Sequence, residues 1–216
     1  MRVEFRGTIA AVRTTIPSAL ALVLAACSSQ ARQPMSLEQM VAADPLPLAP
    51  GAKWTYEVTV KRFDENQKLV TKTLTWTTEV LDARQGNGVT AYRVRGWPSD
   101  LASIDDSTQA PAPTERTLLR AGNAILFGSS PEPTLDGAEG WFSWPVIDGQ
   151  RIPPTGSYYH WDVAAISGGY SFEYRTGPDE QTYDIEPGTG VSRYHYSHHP
   201  VINDIEARLT SFAKGH

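Results

Sequence analysis

The sequence predicts an all-β, antiparallel fold, either a strongly curved sheet or an up-and-down barrel, with a two-sheet sandwich as the alternative. Three observations carry that expectation. Beyond residue 45, apolar and polar residues alternate with a period of two in run after run. No window of about 11 residues or more sustains the helical period of about 3.6. Short turns rich in Gly, Pro, Asn and Asp separate the runs.

In chain order, Trp54, Tyr56, Val58 and Val60 alternate with Lys53, Thr55, Glu57, Thr59 and Lys61, the pattern of a half-buried strand. Asp64-Glu65-Asn66 supply a polar turn. In the next run, 69–81, Val70, Leu74, Trp76 and Val80 share a face opposite Thr71, Thr73, Thr75 and Thr77, whose branched β-carbons favour extended chain. Gln85-Gly86-Asn87-Gly88 turns into a third strand over 89–97. The stretch 98–113, with Asp100, Asp105, Asp106 and alternating Ala and Pro, is expected to be a mobile surface loop. Ala121-Gly122-Asn123 between 117–119 and 124–127 signals a hairpin, and 129–140 is again loop.

Trp141-Phe142-Ser143-Trp144 forms a dense aromatic cluster before Pro145, followed by an irregular connection over 149–156. Tyr159, Trp161 and Val163 then alternate with His160 and Asp162, and Tyr170, Phe172 and Tyr174 with Ser171, Glu173 and Arg175. Further strands are expected at 181–186, at 191–198 after the turn Pro187-Gly188-Thr189-Gly190, and at 205–212, where Ile205, Ala207 and Leu209 share a face. The total is about ten short strands.

The first 27 residues have a different character. Arg2, Arg6 and Arg13 are basic, 14–24 is uncharged and mostly apolar, and Ala25 and Ala26 precede Cys27. This is the three-part layout of a secretory signal, and its apolar core of about 11 residues is about half of what spans a bilayer. Leu24-Ala25-Ala26-Cys27 also resembles the lipobox of bacterial lipoproteins. That resemblance implies lipid attachment to the Cys27 sulfur, cleavage before it and acylation of the new amine. Ser28 and Ser29, with no Asp at the second position, imply by the same resemblance export to the outer membrane. The expected organisation is a cleaved signal peptide over 1–26, a lipidated tether over 27–50 carrying Pro45, Pro47 and Pro50, and an antiparallel β domain over 51–216. Ser36-Leu37-Glu38-Gln39 within the tether is a possible capping box for a short helix.

Composition narrows the class. Loss of 1–26 removes three arginines and one glutamate from totals of 19 basic and 24 acidic residues, which takes the formal net charge from −5 to −7. A nucleic-acid partner is disfavoured. Cys27 is the sole cysteine, so no disulfide forms within the chain and the fold depends on its core.

His195, His198 and His199 invite a metal reading. On an extended strand His195 and His199 are about 13 Å apart, too far to share an ion, so packing at a strand end is favoured and no metal ligand or cofactor is assigned. There is no Gly-x-Ser-x-Gly and no His-Glu-x-x-His. The carboxylate pairs Asp105/Asp106, Glu132/Asp136 and Asp179/Glu180 fall where solvated surface is the simpler explanation. A metal-dependent hydrolase is therefore the least favoured reading, and no catalytic residue is named. Tyr56, Trp76, Tyr92, Trp161, Phe172 and Tyr174 could line a cleft for a hydrophobic or acyl ligand, although filling of the core is the preferred role.

The closing stretch, Pro187-Gly188-Thr189-Gly190-Val191-Ser192-Arg193-Tyr194-His195-Tyr196-Ser197-His198-His199, together with the opening Gly51-x-Lys53-Trp54-x-Tyr56, resembles a group of bacterial lipoproteins that carries no agreed activity. There a Gly-Thr commonly follows the histidines, where this chain has Pro200-Val201. The resemblance implies an envelope address and a β fold, and no mechanism. The expected function is that of a membrane-anchored lipoprotein with a periplasmic, non-catalytic β domain acting as a binding or envelope-structural module. Its partners would be the membrane through Cys27 and a hydrophobic ligand or an envelope protein.

Overall fold

The computed structural model describes residues 43–104, 110–153, 160–199 and 203–216. Within them the chain is a single antiparallel sheet of twelve strands, curved until it nearly closes into a barrel. The strands are β1 (Lys53–Phe63), β2 (Leu69–Gly86), β3 (Val89–Arg95), β4 (Glu115–Ala121), β5 (Ala124–Gly128) and β6 (Glu139–Ser143). They continue with β7 (Arg151–Ile152), β8 (Trp161–Ile166), β9 (Gly169–Arg175), β10 (Asp179–Glu186), β11 (Gly190–His198) and β12 (Asn203–Ala213). One 3₁₀ helix, Pro98–Ser103, joins β3 to β4.

Every strand but two pairs with both of its sequence neighbours, and β1 also pairs with β12 from Lys53↔Ala213 to Arg62↔Asn203. The spatial order is β6-β5-β4-β3-β2-β1-β12-β11-β10-β9-β8-β7, so the two sheet edges are consecutive in sequence. This is the curved, up-and-down arrangement rather than the sandwich. An antiparallel meander alternates its ends. The near end collects the entry of the chain before β1, the turns before β3, β5, β9 and β11, the connection 144–150 and the C-terminus. The far end collects the β1–β2 turn, the 3₁₀ helix and the β5–β6 loop.

Alternation works as expected in β1, where Trp54, Tyr56, Val58 and Val60 are all buried. On β2, Trp76 and Val80 are buried with Thr78 between them, while Val70 and Leu74 are half-exposed near the hairpin tip. Thr78 is buried without penalty because its hydroxyl donates to Gly96 O at 2.6 Å. The Trp76 indole N–H donates to the same oxygen at 2.8 Å. Gly96 ends β3 at a φ of +71°, a conformation open to glycine and strained for other residues.

The structure differs from the expectation in three places. First, residues 44–50 belong to the domain's packing: Leu46 and Leu48 are buried in the core, and Arg120 grips both Asp44 carboxylate oxygens at 2.8 Å and also bonds Leu46 O. Three prolines keep this segment out of helix and sheet, Leu48 N closes a tight turn onto Leu46 O at 2.7 Å, and the two leucines cover the core at the near end. Second, 98–104 is built rather than loose, with Asp100, Leu101 and Ile104 all buried. Asp105 and Asp106 lie outside the described residues. Third, the aromatic cluster at 141–144 supplies an edge strand, β6, and β7 adds a two-residue strand within the connection read as irregular. Twelve strands result instead of about ten.

Trp141 is the centre of the core. Fully buried on β6, its ring meets Phe127 (5.3 Å between centroids), Phe142 (4.9 Å), Trp97 (5.9 Å), Trp161 (6.1 Å), Phe172 (5.9 Å) and Tyr183 (5.2 Å). One edge of the sheet is thereby bound by side chains to β8, β9 and β10 on its other half. Aromatic contact does at the seam what backbone pairing does elsewhere.

Candidate functional site on the inner face of β10 and β11

The stretch 194–199 divides between the two faces of the sheet. The register pairs Tyr183 with Tyr194, Gln181 with Tyr196 and Asp179 with His198. Tyr194 is buried, Tyr196 packs on the core, and His198 reaches the same carboxylate as Tyr196, so this parity faces inward. His195 takes the opposite parity and lies 3.3 Å from Asp204 of β12. His199 is exposed, and its backbone N–H donates to Pro178 O. The histidines thus diverge, each ring on its own surroundings, and among the described residues no three His, Cys, Asp or Glu side chains meet at metal-binding distance.

At the far end of the column, Asp179 Oδ1 accepts the Tyr196 hydroxyl at 2.7 Å and pairs with His198 Nδ1 at 2.7 Å. The His198 bond, then the Tyr196 bond, hold the Asp179 carboxyl below the usual carboxylate range. Tyr196 moves the other way: burial and the adjacent carboxylate push its phenol up to about 12. An aspartate orienting an imidazole is half of an acid-base device. The described contacts bring no hydroxyl or thiol nucleophile to His198.

Deeper in, Tyr183 touches Tyr194 (4.9 Å), Trp161 (5.7 Å) and Trp97 (6.2 Å). Burial pushes the Tyr183 phenol up to about 12, and burial also raises Tyr194. Beside them, buried Asp100 accepts Thr114 N and Thr114 Oγ1, each at 2.8 Å, and Arg116 Nη2 at 2.5 Å. The Arg116 guanidinium and the two Thr114 donors together offset the cost of burying this carboxylate. The Tyr194 hydroxyl, the Trp141 indole N–H and Arg116 Nε are buried and unpaired, and Trp97 Nε1 makes no hydrogen bond of good geometry.

The six rings read as cleft lining all lie on the core side. Tyr56, Trp76, Tyr92 and Phe172 are buried, and Trp161 and Tyr174 half-buried against each other at 5.0 Å. They pack on their neighbours as core. Among the carboxylate pairs, Glu132 is bonded by Arg84 at 2.8 Å, and Asp179 and Glu180 point to opposite faces. Arg116, Trp97 and Tyr183 carry no separate expectation from sequence, and Asp100 and Trp141 read there only as a loop acid and as part of an aromatic cluster. A signal existed: Arg116 and Arg120 share parity with buried Leu118, and two guanidiniums on a core face require acidic partners, here Asp100 and Asp44. Cys27 lies outside the described residues.

No protein-family model matches the sequence, and no curated protein matches it. Among solved structures, a protein described as exported and of YmcC-like fold from Bacteroides fragilis aligns over 80% of this chain and 100% of its own, at 9% identity and a TM-score of 0.43. A protein described as a lipoprotein from Parabacteroides distasonis aligns over 79% of this chain and 99% of its own, at 8% identity and a TM-score of 0.39. Likeness this distant carries no argument about chemistry.

Proposed function

We propose that this chain is a bacterial envelope lipoprotein, held by a lipid on Cys27 at the outer membrane, whose β domain serves in the periplasm as a binding or structural module. The observation that carries the reading is Leu24-Ala25-Ala26-Cys27 at the end of a basic and then apolar leader, in a chain with no other cysteine. One acyl chain anchors only marginally whereas two or more anchor stably, so a multiply acylated Cys27 suffices without a spanning segment. A non-catalytic domain is favoured by an interior in which large rings fill the space between the strands. The same filling weighs against the carrier of an acyl ligand.

The test is expression of Cys27→Ser beside the native chain in a Gram-negative host, with membrane and aqueous fractions separated. The native chain is expected in the outer-membrane fraction, labelled by radioactive palmitate, and the variant in the aqueous fraction without label. Equal membrane association of the two would refute the anchor.

A further inference from the structure

Among the described residues five large apolar side chains stand out into solvent: Phe63, Leu69 and Leu135 at the far end, and Ile147 and Ile166 at the near end. Ile147 is the most exposed of them, at 71%. It does not sit on a loose tip. Its N–H donates to Gln150 Oε1 at 3.0 Å, and Gln150 N returns a bond to Ile147 O at 2.9 Å. The adjacent Asp148 carboxylate accepts Ala165 N at 2.8 Å, which ties this turn to the last residues of β8, where Ile166 is exposed. A hydrogen-bonded frame therefore holds two isoleucines outward at one end of the barrel.

The chain enters the domain at that same end. Ala43 borders a recess of about 250 Å³ shared with Asn123 and Trp144. Trp144 and Asn123 are joined by two hydrogen bonds, Trp144 N to Asn123 O at 2.9 Å and Asn123 Nδ2 to Trp144 O at 2.8 Å. Ile147 follows Trp144 by three residues. We propose that the near end of the barrel docks on the lipid bilayer, with Ile147 and Ile166 at the boundary between headgroups and acyl chains. The inference rests on the lipid-anchored reading above and adds to it an orientation.

The tether does not impose that orientation by itself. Residues 28–42 number 15, about 50 Å when extended, against about 37 Å for an 11-residue strand. A chain of that length lets either end of the barrel reach the membrane. What decides is the cost of reaching: the near end meets the bilayer with the tether relaxed, whereas the far end, although it exposes three apolar side chains, needs the tether drawn out along the barrel, so a weak apolar contact beside the entry point selects the near end. Phe63, Leu69 and Leu135 then face away from the membrane.

The experiment uses the full chain, lipidated and reconstituted into phosphatidylethanolamine–phosphatidylglycerol vesicles. Because the lipid occupies the one native thiol, Ile147→Cys, or Leu135→Cys as the far-end control, presents a unique site for an environment-sensitive fluorophore. Vesicle flotation reports the anchor, and quenching by nitroxides on the acyl chains reports docking. The account expects both proteins to float, with most emission quenched at position 147 and emission unchanged at position 135. Floating protein with no quenching at 147 overturns the docking while the anchor stands, and leaves a protein partner as the occupant of this patch. Quenching at 135 equal to or above that at 147 overturns the orientation. Failure to float overturns the anchor and the docking with it.

Discussion

Gly96, the residue directly after β3, is held by both conformation and space. It combines a φ of +71° with a backbone so close to β2 that an added Cβ would collide with the Thr77 carbonyl oxygen, and its own oxygen satisfies both Trp76 and Thr78. Gly96→Ala is expected to cost roughly 2–4 kcal/mol in urea unfolding, from strain together with two weakened buried hydrogen bonds. Gly88 has a similar φ of +75° with open space around it, so Gly88→Ala should cost only about 1 kcal/mol. Equal losses at the two positions would show that conformation alone matters. Asp179 gives a second prediction, in pH. Its carboxyl is held low by His198 and Tyr196, so its contribution to stability is complete above the unfolded value of about 4 and is lost as pH falls through the lower native value. Asp179→Asn should therefore lower the urea midpoint near neutrality, and the gap to the native chain should narrow on acidification below about pH 4. A gap that is constant with pH would assign the effect to packing.

At the level of elements, the segment before β1 and strand β6 decide whether the barrel is complete. Leu46 is 1% exposed and Leu48 6%. Leu46→Ala is expected to destabilise by roughly 2–4 kcal/mol. A chain beginning at Ala43 should melt with the full-length protein, whereas one beginning at Gly51 should lose several degrees by calorimetry because it uncovers the near end of the core. Unchanged melting of the shorter chain would make 44–50 a spacer after all. Trp141→Ala removes the ring that binds β6 to β8, β9 and β10, with an expected loss of roughly 3–5 kcal/mol, measurable in the same urea titration. These two elements are also where sequence reading fell short. β1, β2 and β9–β12 are legible because one face is buried along most of each run, even where a bulge shifts the register in β2, β11 and β12. The Leu46/Leu48 segment has no such run, and prolines gave it the look of a linker. Asp100 reads as a solvated loop acid until Arg116, sixteen positions later, is seen on the inner face of β4. Trp141 reads as a member of an aromatic cluster, and only the closure of the sheet makes it the hub.

For the whole molecule, a local pattern fixes strand after strand while the curvature comes from pairing far apart in sequence. The β1–β12 ladder joins the ends of the domain, and side chains complete the seam between β6 and β7. The inner face of β10 and β11 gathers Tyr183, Tyr194, Tyr196, Asp179 and His198, so the part of the stretch that drew attention in the sequence is a structural column with an acid-histidine pair at its outer end. An envelope address rests on a different part of the chain. Mass spectrometry of the mature N-terminus tests it most directly. The expected product begins at Cys27, with a diacylglyceryl thioether on its sulfur and an acyl group on its amine. A mature chain that retains residues 1–26, or that carries a free thiol at Cys27, would contradict the account.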